Sequence, residues 1–579
     1  MKQLILLVLC VSCALGGKST VKPLTLVSEG TSRYAIVLSH AATASDSVAA
    51  GELQRHLKEI SGADLRIVND RVPASKFEVV IGATARTRPA WFSSITRDGG
   101  FSIRTRGSRL FFAGKGETGV INGVYSFLEQ ELGCRKYSAS VKIVPKRRTV
   151  IVSGKIDRTE NPVFTHRSIN SWELDDPEYR RWHKDLKQNE SDPQWGLFVH
   201  TFHTLVPPER YFKEHPEYFA LRNGLRVKEQ LCLSNPDVFT IVVRELRRRM
   251  KLKPEATLWS VSQNDNVAYC QCPDCAAIDA REEAQSGSIL EFVNKVAREF
   301  PEKTISTLAY LYSRKAPRTI RPEKNVNIML CTIECMRTLP LETDTIRNGF
   351  VRDMKDWCRL TDNIFLWDYV VQFTGLVSPF PNLHVLQPNI QFFARYKTQM
   401  QFQQGQGRNP GCEFSELRTY LIAKLLWNPD VNIDSVMNDF LSGYYGKAAA
   451  PIRSYIDLMR DSLIASGGNL WIYDNPVVEM KTFLTPGLMK RYSRLFDEAE
   501  SAVRSEPEYL ARVRAARLPL MYAALEQAKV IGEGEDGIVL RSGSGFAVNP
   551  KIESLLAEFR DGCRRVGAVN VNEKALSVE

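Results

Sequence analysis

The sequence predicts an α/β protein: a (β/α)8, TIM-type barrel preceded by a small α+β domain and followed by a helical C-terminal region. Three observations lead there. Eight short β-rich runs recur between residues 164 and 405, mostly separated by helical or loop stretches. Strand and helix patterns alternate before them, and mostly helical text follows. Strands alternating with helices indicate parallel βαβ units, and eight units over about 240 residues suit a closed barrel.

Taken in order, the chain begins MKQLILLVLCVSCALGGKS. Lys2, a short apolar core from Leu4 to Val11 and the small-residue site Ala14-Leu15-Gly16 read as a signal peptide over residues 1–16. An N-terminus acylated at Cys13 is the alternative, although Cys10 stands where a lipobox prefers Leu. No later segment has the roughly 20 uninterrupted apolar residues of a membrane helix. The expectation is an exported bacterial protein, secreted, periplasmic or at the cell surface, with no transmembrane segment and at most a lipid tether at Cys13.

Residues 20–158 read as the α+β domain. YAIVLS and FEVVIG are strands, and AAGELQRHLKEISGADL between them has helical apolar spacing. FSIRTRGSRLFFAG reads as a hairpin turning at Gly107-Ser108, and TGVINGVYSFLEQELG as a helix stopped by Gly133. Glu160-Asn161-Pro162 marks a boundary. The barrel is expected over residues 162–445, on the runs FTHRSI, WGLFVH, EQLCLSN, TLWSVSQ, ISTLAYLY, VNIMLC, NIFLWDYV and TQMQFQQ. An irregular stretch separates the second run from the third and leaves their assignment open. Residues 446–579 form the helical C-terminal region.

Composition excludes one class of partner. The net charge is 77 − 66 = +11, but RRR at Arg247–Arg249 and KRR at Lys146–Arg148 are the only tight basic runs. Scattered charge of this kind is a solvated surface, not a nucleic-acid footprint.

The chemistry of a barrel sits at the carboxyl ends of its strands. Here those ends carry Asn170, Ser171 and Trp172; His200 and His203; Gln263, Asn264, Asp265 and Asn266; Tyr310 and Tyr312; Glu334; Trp367, Asp368 and Tyr369; and Gln403 and Gln404. Rings that stack on a pyranose, amides that read hydroxyls, and paired carboxyls are the equipment of a sugar site. The leading catalytic pair is Asp265 and Glu334, with Asp368 third. Glu334 is expected to be desolvated enough to donate a proton near about pH 6, while Asp265 orients the attacking group. Trp172, His200, His203, Asn264, Asn266, Tyr310, Tyr369 and Gln403 are expected to bind an oligosaccharide or a glycoprotein glycan. Duller roles compete: a lone Asp after a strand often caps a helix, and Tyr310 and Tyr312 alternate on a strand so that one can be packing. The pair His200 and His203 has HxxH spacing without the helical HExxH pattern, so no catalytic metal and no cofactor are expected.

Several stretches resemble known families. ETGVINGVYSFLEQELGCRKYS, followed by VPKRRTV, resembles the accessory domain that precedes the barrels of family 20 hexosaminidases and family 67 glucuronidases. HPEYFALRNG, QLCLSNP, SQNDNVAYCQCPDC, IMLCTIEC, FLWDYVVQF, PNLHVLQPNIQFF and LRTYLIAKLLWNP resemble the secreted bacterial family of domain of unknown function 4838. Part of that family is glycoside hydrolase family 163, which attacks complex N-glycans. The resemblance implies a retaining β-N-acetylglucosaminidase-like reaction in which the substrate's acetamido oxygen is the nucleophile. Relatives read FEQG where this chain reads FQQG, so Gln403 replaces an acid. That departure keeps a catalytically weak glycan-binding protein in play, and acids after the sixth and seventh runs keep an inverting α-glucuronidase.

Of twelve cysteines, removal of residues 1–16 leaves ten. Cys232, Cys270, Cys272 and Cys275 come from two neighbouring loops beside Asp265. Disulfides, structural zinc and plain packing all remain open for them.

Overall fold

The structure, a computed structural model, describes residues 22–184, 192–343, 349–396, 398–407, 409–574 and 576–578. The expected signal peptide and Cys13 lie outside these residues. Contacts divide the chain into two compact units: one runs to Cys134 and includes Val144–Asn161, the other takes Arg135–Ile143 and everything from Pro162 onward.

The first unit is built on a six-stranded mixed sheet, ordered Asp157–Glu160, Phe101–Arg106, Arg109–Gly114, Glu78–Ile81, Ala35–Leu38 and Ile67–Asn69. The helix Ala44–Ser61 starts at a capping box between Thr43 and Asp46 and stops where Gly62 turns left-handed. Phe101–Arg106 and Arg109–Gly114 pair antiparallel around Gly107, whose φ is +61°.

In the second unit seven strands lie parallel: β1 (His166–Ser171), β2 (Trp195–Leu197), β3 (Leu258–Ser260), β4 (Thr304–Ala309), β5 (Val326–Cys331), β6 (Ile364–Tyr369) and β7 (Met400–Gly407). Their order is β1-β7-β6-β5-β4-β3-β2. This corrects the expected eight-stranded closed barrel. The run EQLCLSN joins no barrel ladder; Leu225–Leu231 folds back on Phe219–Arg222 as an antiparallel hairpin, and β2 pairs directly with β3. Among the described residues no ladder joins β1 to β2. The sheet is nonetheless strongly curled. Trp195 on the edge strand β2 stacks 6.1 Å from Phe365 on β6, and Phe198 lies 5.7 Å from Trp367. Strands four places apart in a flat sheet cannot meet this way.

Curling gives the sheet an inner and an outer face, and parallel register sets which residues share each. Trp367 pairs with Cys331 and Phe402, so these three face inward with Phe365 and Tyr369. Asp368 pairs with Gln403, so both face outward. Gly405 sits where β7 crosses β1 most closely: a Cβ there would lie 2.6 Å from the Asn170 carbonyl oxygen.

The helices that follow β7 include Ser415–Trp427, Ile433–Tyr445, Ala449–Ser466, Pro486–Ala502, Pro507–Ile531 and Pro550–Val566. The first carries Arg418, 2% exposed, whose guanidinium donates to the carbonyls of Glu413 (2.6 Å) and Phe380 (3.2 Å) and to Asn382 Oδ1 (3.2 Å). Beside it the Glu413 carboxyl accepts from the Phe380 N–H at 2.8 Å, and burial pushes its pKa from 4.5 up to about 7 despite Arg418. The folded chain thus holds a proton that the unfolded chain releases above pH 4.5. Stability from this group is complete below pH 4.5 and is lost as pH rises to about 7. The loss is about 3 kcal/mol at 1.4 kcal/mol per unit. Denaturant titrations between those pH values should show the decline, and Glu413→Gln should flatten it.

Candidate active site

Beyond β3 the backbone runs through Gln263, Asn264, Asp265 and Asn266, and each side chain has a distinct use. Gln263 is buried and its Nε2 donates to Ser313 Oγ at 2.6 Å, tying the loop to the turn after β4. Asn264 donates through Nδ2 to the Glu229 carbonyl (2.8 Å), and its N–H donates to Gln230 Oε1 (3.1 Å). Asn266 Nδ2 reaches the same carbonyl at 3.2 Å, while its Oδ1 accepts from Gln230 Nε2 at 3.0 Å. Both amides, expected to read sugar hydroxyls, are instead engaged by the hairpin. They act as buttresses on either side of Asp265, which is exposed.

One partner reaches Asp265 from the barrel wall. Tyr310, at the carboxyl end of β4 and 7% exposed, donates its hydroxyl to Asp265 Oδ1 at 2.9 Å. Burial, and then the Asp265 charge, hold that hydroxyl well above its ordinary pKa, so it remains a donor at any working pH. A hydrogen bond to a charged group contributes about 1.5–3 kcal/mol. Tyr310→Phe should therefore lower kcat about tenfold to a hundredfold with little change in KM, read from steady-state kinetics.

His200 is held in the left-handed region at φ +57°, its N–H on Ser262 Oγ (3.0 Å) and its Nδ1 against the Gln263 carbonyl (2.8 Å). Its ring lies 6.0 Å from Tyr310, beside Asp265. A strained non-glycine backbone fixed by two hydrogen bonds is a feature of functional sites. His203 turns the other way, its Nε2 2.8 Å from the Lys228 carbonyl of the hairpin. Trp172 opens the 3₁₀ turn Trp172–Asp175, half-buried, and among the described residues it stacks on none of the mouth rings.

Glu334, expected to be desolvated enough to donate a proton, lies three residues past β5 and meets a cation: Arg314 Nη1 is 3.1 Å from Glu334 Oε2. Arg314, from the turn after β4, also binds Asp353 Oδ2 through Nε at 2.8 Å and is only 14% exposed. The guanidinium is thus fixed at one end and presented to Glu334 at the other.

Asp368 and Gln403 are corrected by register. Both face the helical layer, not the barrel interior. Asp368, 3% exposed, accepts from Thr332 Oγ1 (2.6 Å) and the Tyr369 N–H (3.0 Å); burial pushes its carboxyl up, opposed by Arg337. Gln403 is fully buried and donates to Gln401 Oε1 at 3.4 Å. Neither touches the mouth, so the FQQG departure removes no acid from it.

Tyr369, on the inner face, belongs to a continuous row of rings. Centroid separations are 5.7 Å from Phe198 to Trp367, 5.9 Å to Tyr369, 6.0 Å to Phe373, 6.0 Å to Tyr473 and 5.4 Å to Trp471. The row climbs from the barrel interior to the surface, where Trp471 and Tyr473 are each 36% exposed. Its outer end is tied down by Phe373 N–H to the Ile472 carbonyl (2.7 Å) and Glu573 N–H to the Phe373 carbonyl (3.0 Å). Burial raises the Tyr473 hydroxyl, and the charges of Glu573 and Asp265 raise it further; burial and then Asp265 raise Glu573. Asp265, Glu573 and the outer rings therefore share one electrostatic environment. Sequence reasoning missed Arg314, Phe373, Trp471, Tyr473 and Glu573. The aromatic cluster LWIYD at residues 470–474 was the available signal.

Cys232, Cys270, Cys272 and Cys275 form no disulfide with one another. Cys232, Cys270, Cys272 and Cys275 are all buried and bring their sulfurs within 4.8 Å of one another, next to the hairpin and the Asp265 loop. Among the described residues no helix is long and apolar enough to cross a membrane.

No curated protein matches the chain. A solved family GH115 4-O-methyl-α-glucuronidase with specificity for decorated arabinogalactans shares its fold at TM-score 0.54 and 10% identity, over 94% of this chain and 77% of that one. The structure of CpGH84D aligns at TM-score 0.45 and 10% identity, covering 94% of this chain and 91% of that chain. Residues 136–457, more than half the sequence and the whole parallel sheet, match the family model described as Domain of unknown function (DUF4838), and the chain belongs to that family.

Proposed function

We propose that the protein is a glycoside hydrolase acting on complex glycans, and that it is a retaining, β-N-acetylglucosaminidase-like enzyme. The observation that carries this reading is an exposed carboxylate, Asp265, that accepts the Tyr310 hydroxyl at 2.9 Å and whose charge acts on Tyr369 and Tyr473 of the ring row. The exposed outer rings, Trp471 and Tyr473, offer a stacking platform for a sugar unit, and a carboxylate in the same neighbourhood suits cleavage of a linkage. Asp265 orients and polarises the acetamido group of the substrate. Glu334, held by Arg314, is the second carboxylate of the reaction.

Incubating the protein with mixed glycoprotein N-glycans and chromatographing the products tests the reading. A released oligosaccharide with a free reducing-end N-acetylglucosamine supports it. No release from that panel, nor from uronic-acid oligosaccharides, overturns the enzyme. The second reading, an inverting α-glucuronidase, is favoured by the Arg314 guanidinium at the mouth, which suits an anionic sugar. Proton NMR of the first-formed anomer separates the two. A lectin-like role is less supported, because Gln403, its one argument, lies behind the barrel wall. Export to the cell surface or periplasm, through the N-terminal signal or a lipid at Cys13, belongs to the same proposal.

A further inference from the structure

We propose that Cys232, Cys270, Cys272 and Cys275 hold a structural zinc ion that clamps the Asp265 loop. The first argument is geometric. Four thiolates around tetrahedral zinc, with Zn–S about 2.3 Å, place their sulfurs about 3.8 Å apart. The four sulfurs here all lie within 4.8 Å of one another, and Cys232 Sγ is 3.6 Å from Cys272 Sγ. A disulfide would draw one pair to about 2.0 Å and leave the other two sulfurs without a role.

The second argument concerns what else occupies the space. The four residues are 3%, 7%, 4% and 1% exposed, yet only Ala220 and the partly buried Leu221 and Val227 pack with them as hydrophobes. Phe219 and Leu231 anchor one end of the hairpin in the main core, so on the cysteine side little apolar surface is left to hold it. Most of Leu225–Leu231 is exposed or half-exposed, with Leu225 itself at 71%. The hairpin nevertheless holds both Asn264 and Asn266. Hydrogen bonds such as Gln271 N–H to the Leu221 carbonyl (2.7 Å) also join it to the chain beyond Asp265, and the four sulfurs lie at that same junction.

Third, the polar surroundings suit anionic sulfur. The Leu221 N–H donates to Cys270 Sγ at 3.3 Å. Ser234 Oγ lies 3.4 Å from Cys232 Sγ, 3.4 Å from Cys272 Sγ and 3.3 Å from Cys275 Sγ. Arg226, whose Nη1 donates to the Phe219 carbonyl at 2.7 Å, puts a cation on the same hairpin against the net negative charge of a zinc tetrathiolate. Cys272 is also the N-cap of the helix Pro273–Glu282, so the positive end of that helix faces the cluster. Zinc, which has no redox chemistry and accepts a closed four-sulfur shell, is the metal this arrangement fits.

The functional consequence follows from connectivity. Cys232 is two residues beyond Gln230, which grips Asn264 and Asn266, and Cys270 is four residues beyond Asn266. The metal would close a ring through hairpin, loop and knuckle, with Asp265 on the free arc. These cysteines are positioning residues and do not touch substrate.

The test is metal content, independent of any assay of turnover. Untagged protein, analysed by inductively coupled plasma mass spectrometry, should carry about one zinc per chain. Cobalt substitution should give the intense visible bands and sulfur-to-metal charge transfer of a tetrahedral tetrathiolate. Cys275→Ser should lose the metal while far-UV circular dichroism stays nearly unchanged, because the barrel has its own core. Should that variant fail to fold, Cys272→His keeps a ligand and should retain zinc with a shifted cobalt spectrum. Iron in the site, disulfides among these four residues, or a metal-free chain whose four thiols alkylate freely in the native state would overturn the proposal.

Discussion

On the proposed function, Asp265→Asn should lower turnover of a complex-glycan substrate about a thousandfold, within the range of about 10²–10⁴ that a positioned acid or base contributes. The substitution leaves shape and volume nearly unchanged, and Asn can still accept the Tyr310 hydrogen bond through its amide oxygen. What disappears is the negative charge that polarises the attacking group. The change should therefore fall on kcat, with KM moving only a few-fold, and circular dichroism and melting temperature should match the parent. The hairpin bonds to Asn264 and Asn266 do not involve the Asp265 side chain, so the loop keeps its geometry. Tyr310→Phe combined with Asp265→Asn should cost less than the product of the two single effects, because the hydroxyl acts through the carboxylate. Turnover of Asp265→Asn within about tenfold of the parent would exclude Asp265 from the chemistry.

How far such a site could be read from sequence depends on which interactions are local. Seven of the eight β-rich runs became parallel strands, because β-branched and aromatic runs of four to eight residues announce themselves without reference to partners. EQLCLSN has the same local character, yet its pairing is decided by a turn at Asn223-Gly224 and four cysteine sulfurs, which bring in a segment some 40 residues away. Facing was a harder matter. Trp367 and Tyr369 alternate with Asp368, so period two already separates them. Both faces of a barrel strand are buried, however, and polarity along it does not say which side is the interior. Only the cross-barrel contacts of Phe198 and Trp195 with β6 settle that Asp368 and Gln403 point outward. Asp265 was legible because it leaves an apolar strand into an amide-rich loop. Tyr310, its hydrogen-bond donor, stood in the same reading, but two groups that share its electrostatics did not. Tyr473 and Glu573 arrive from 200 and 300 residues downstream, on irregular segments with no period to follow.

Glu334 is the residue where structure changes the expectation most, and leaving-group chemistry distinguishes its roles. A carboxyl in an apolar pocket suits a proton donor, whereas Glu334 has the Arg314 guanidinium 3.1 Å away. On the proposed reading, the alternative to proton donation is that the Glu334 carboxylate would steady the developing positive charge of the sugar, its position fixed by Arg314, which Asp353 holds in turn. Glu334→Gln should lower kcat about a hundredfold to a thousandfold, since it removes a preorganised charge of the kind that dominates such barriers. The loss should be the same for aryl glycosides with poor and with good leaving groups, because proton donation to the departing oxygen is not what was removed. If Glu334 were instead the general acid, the loss would be large for a poor leaving group and nearly absent for dinitrophenolate, which departs without a proton. Arg314→Met separates the cases again. For a charge-stabilising Glu334 it loosens the carboxylate and lowers kcat for every leaving group. For a proton donor it loosens the acid, so the loss falls on poor leaving groups while dinitrophenolate is spared.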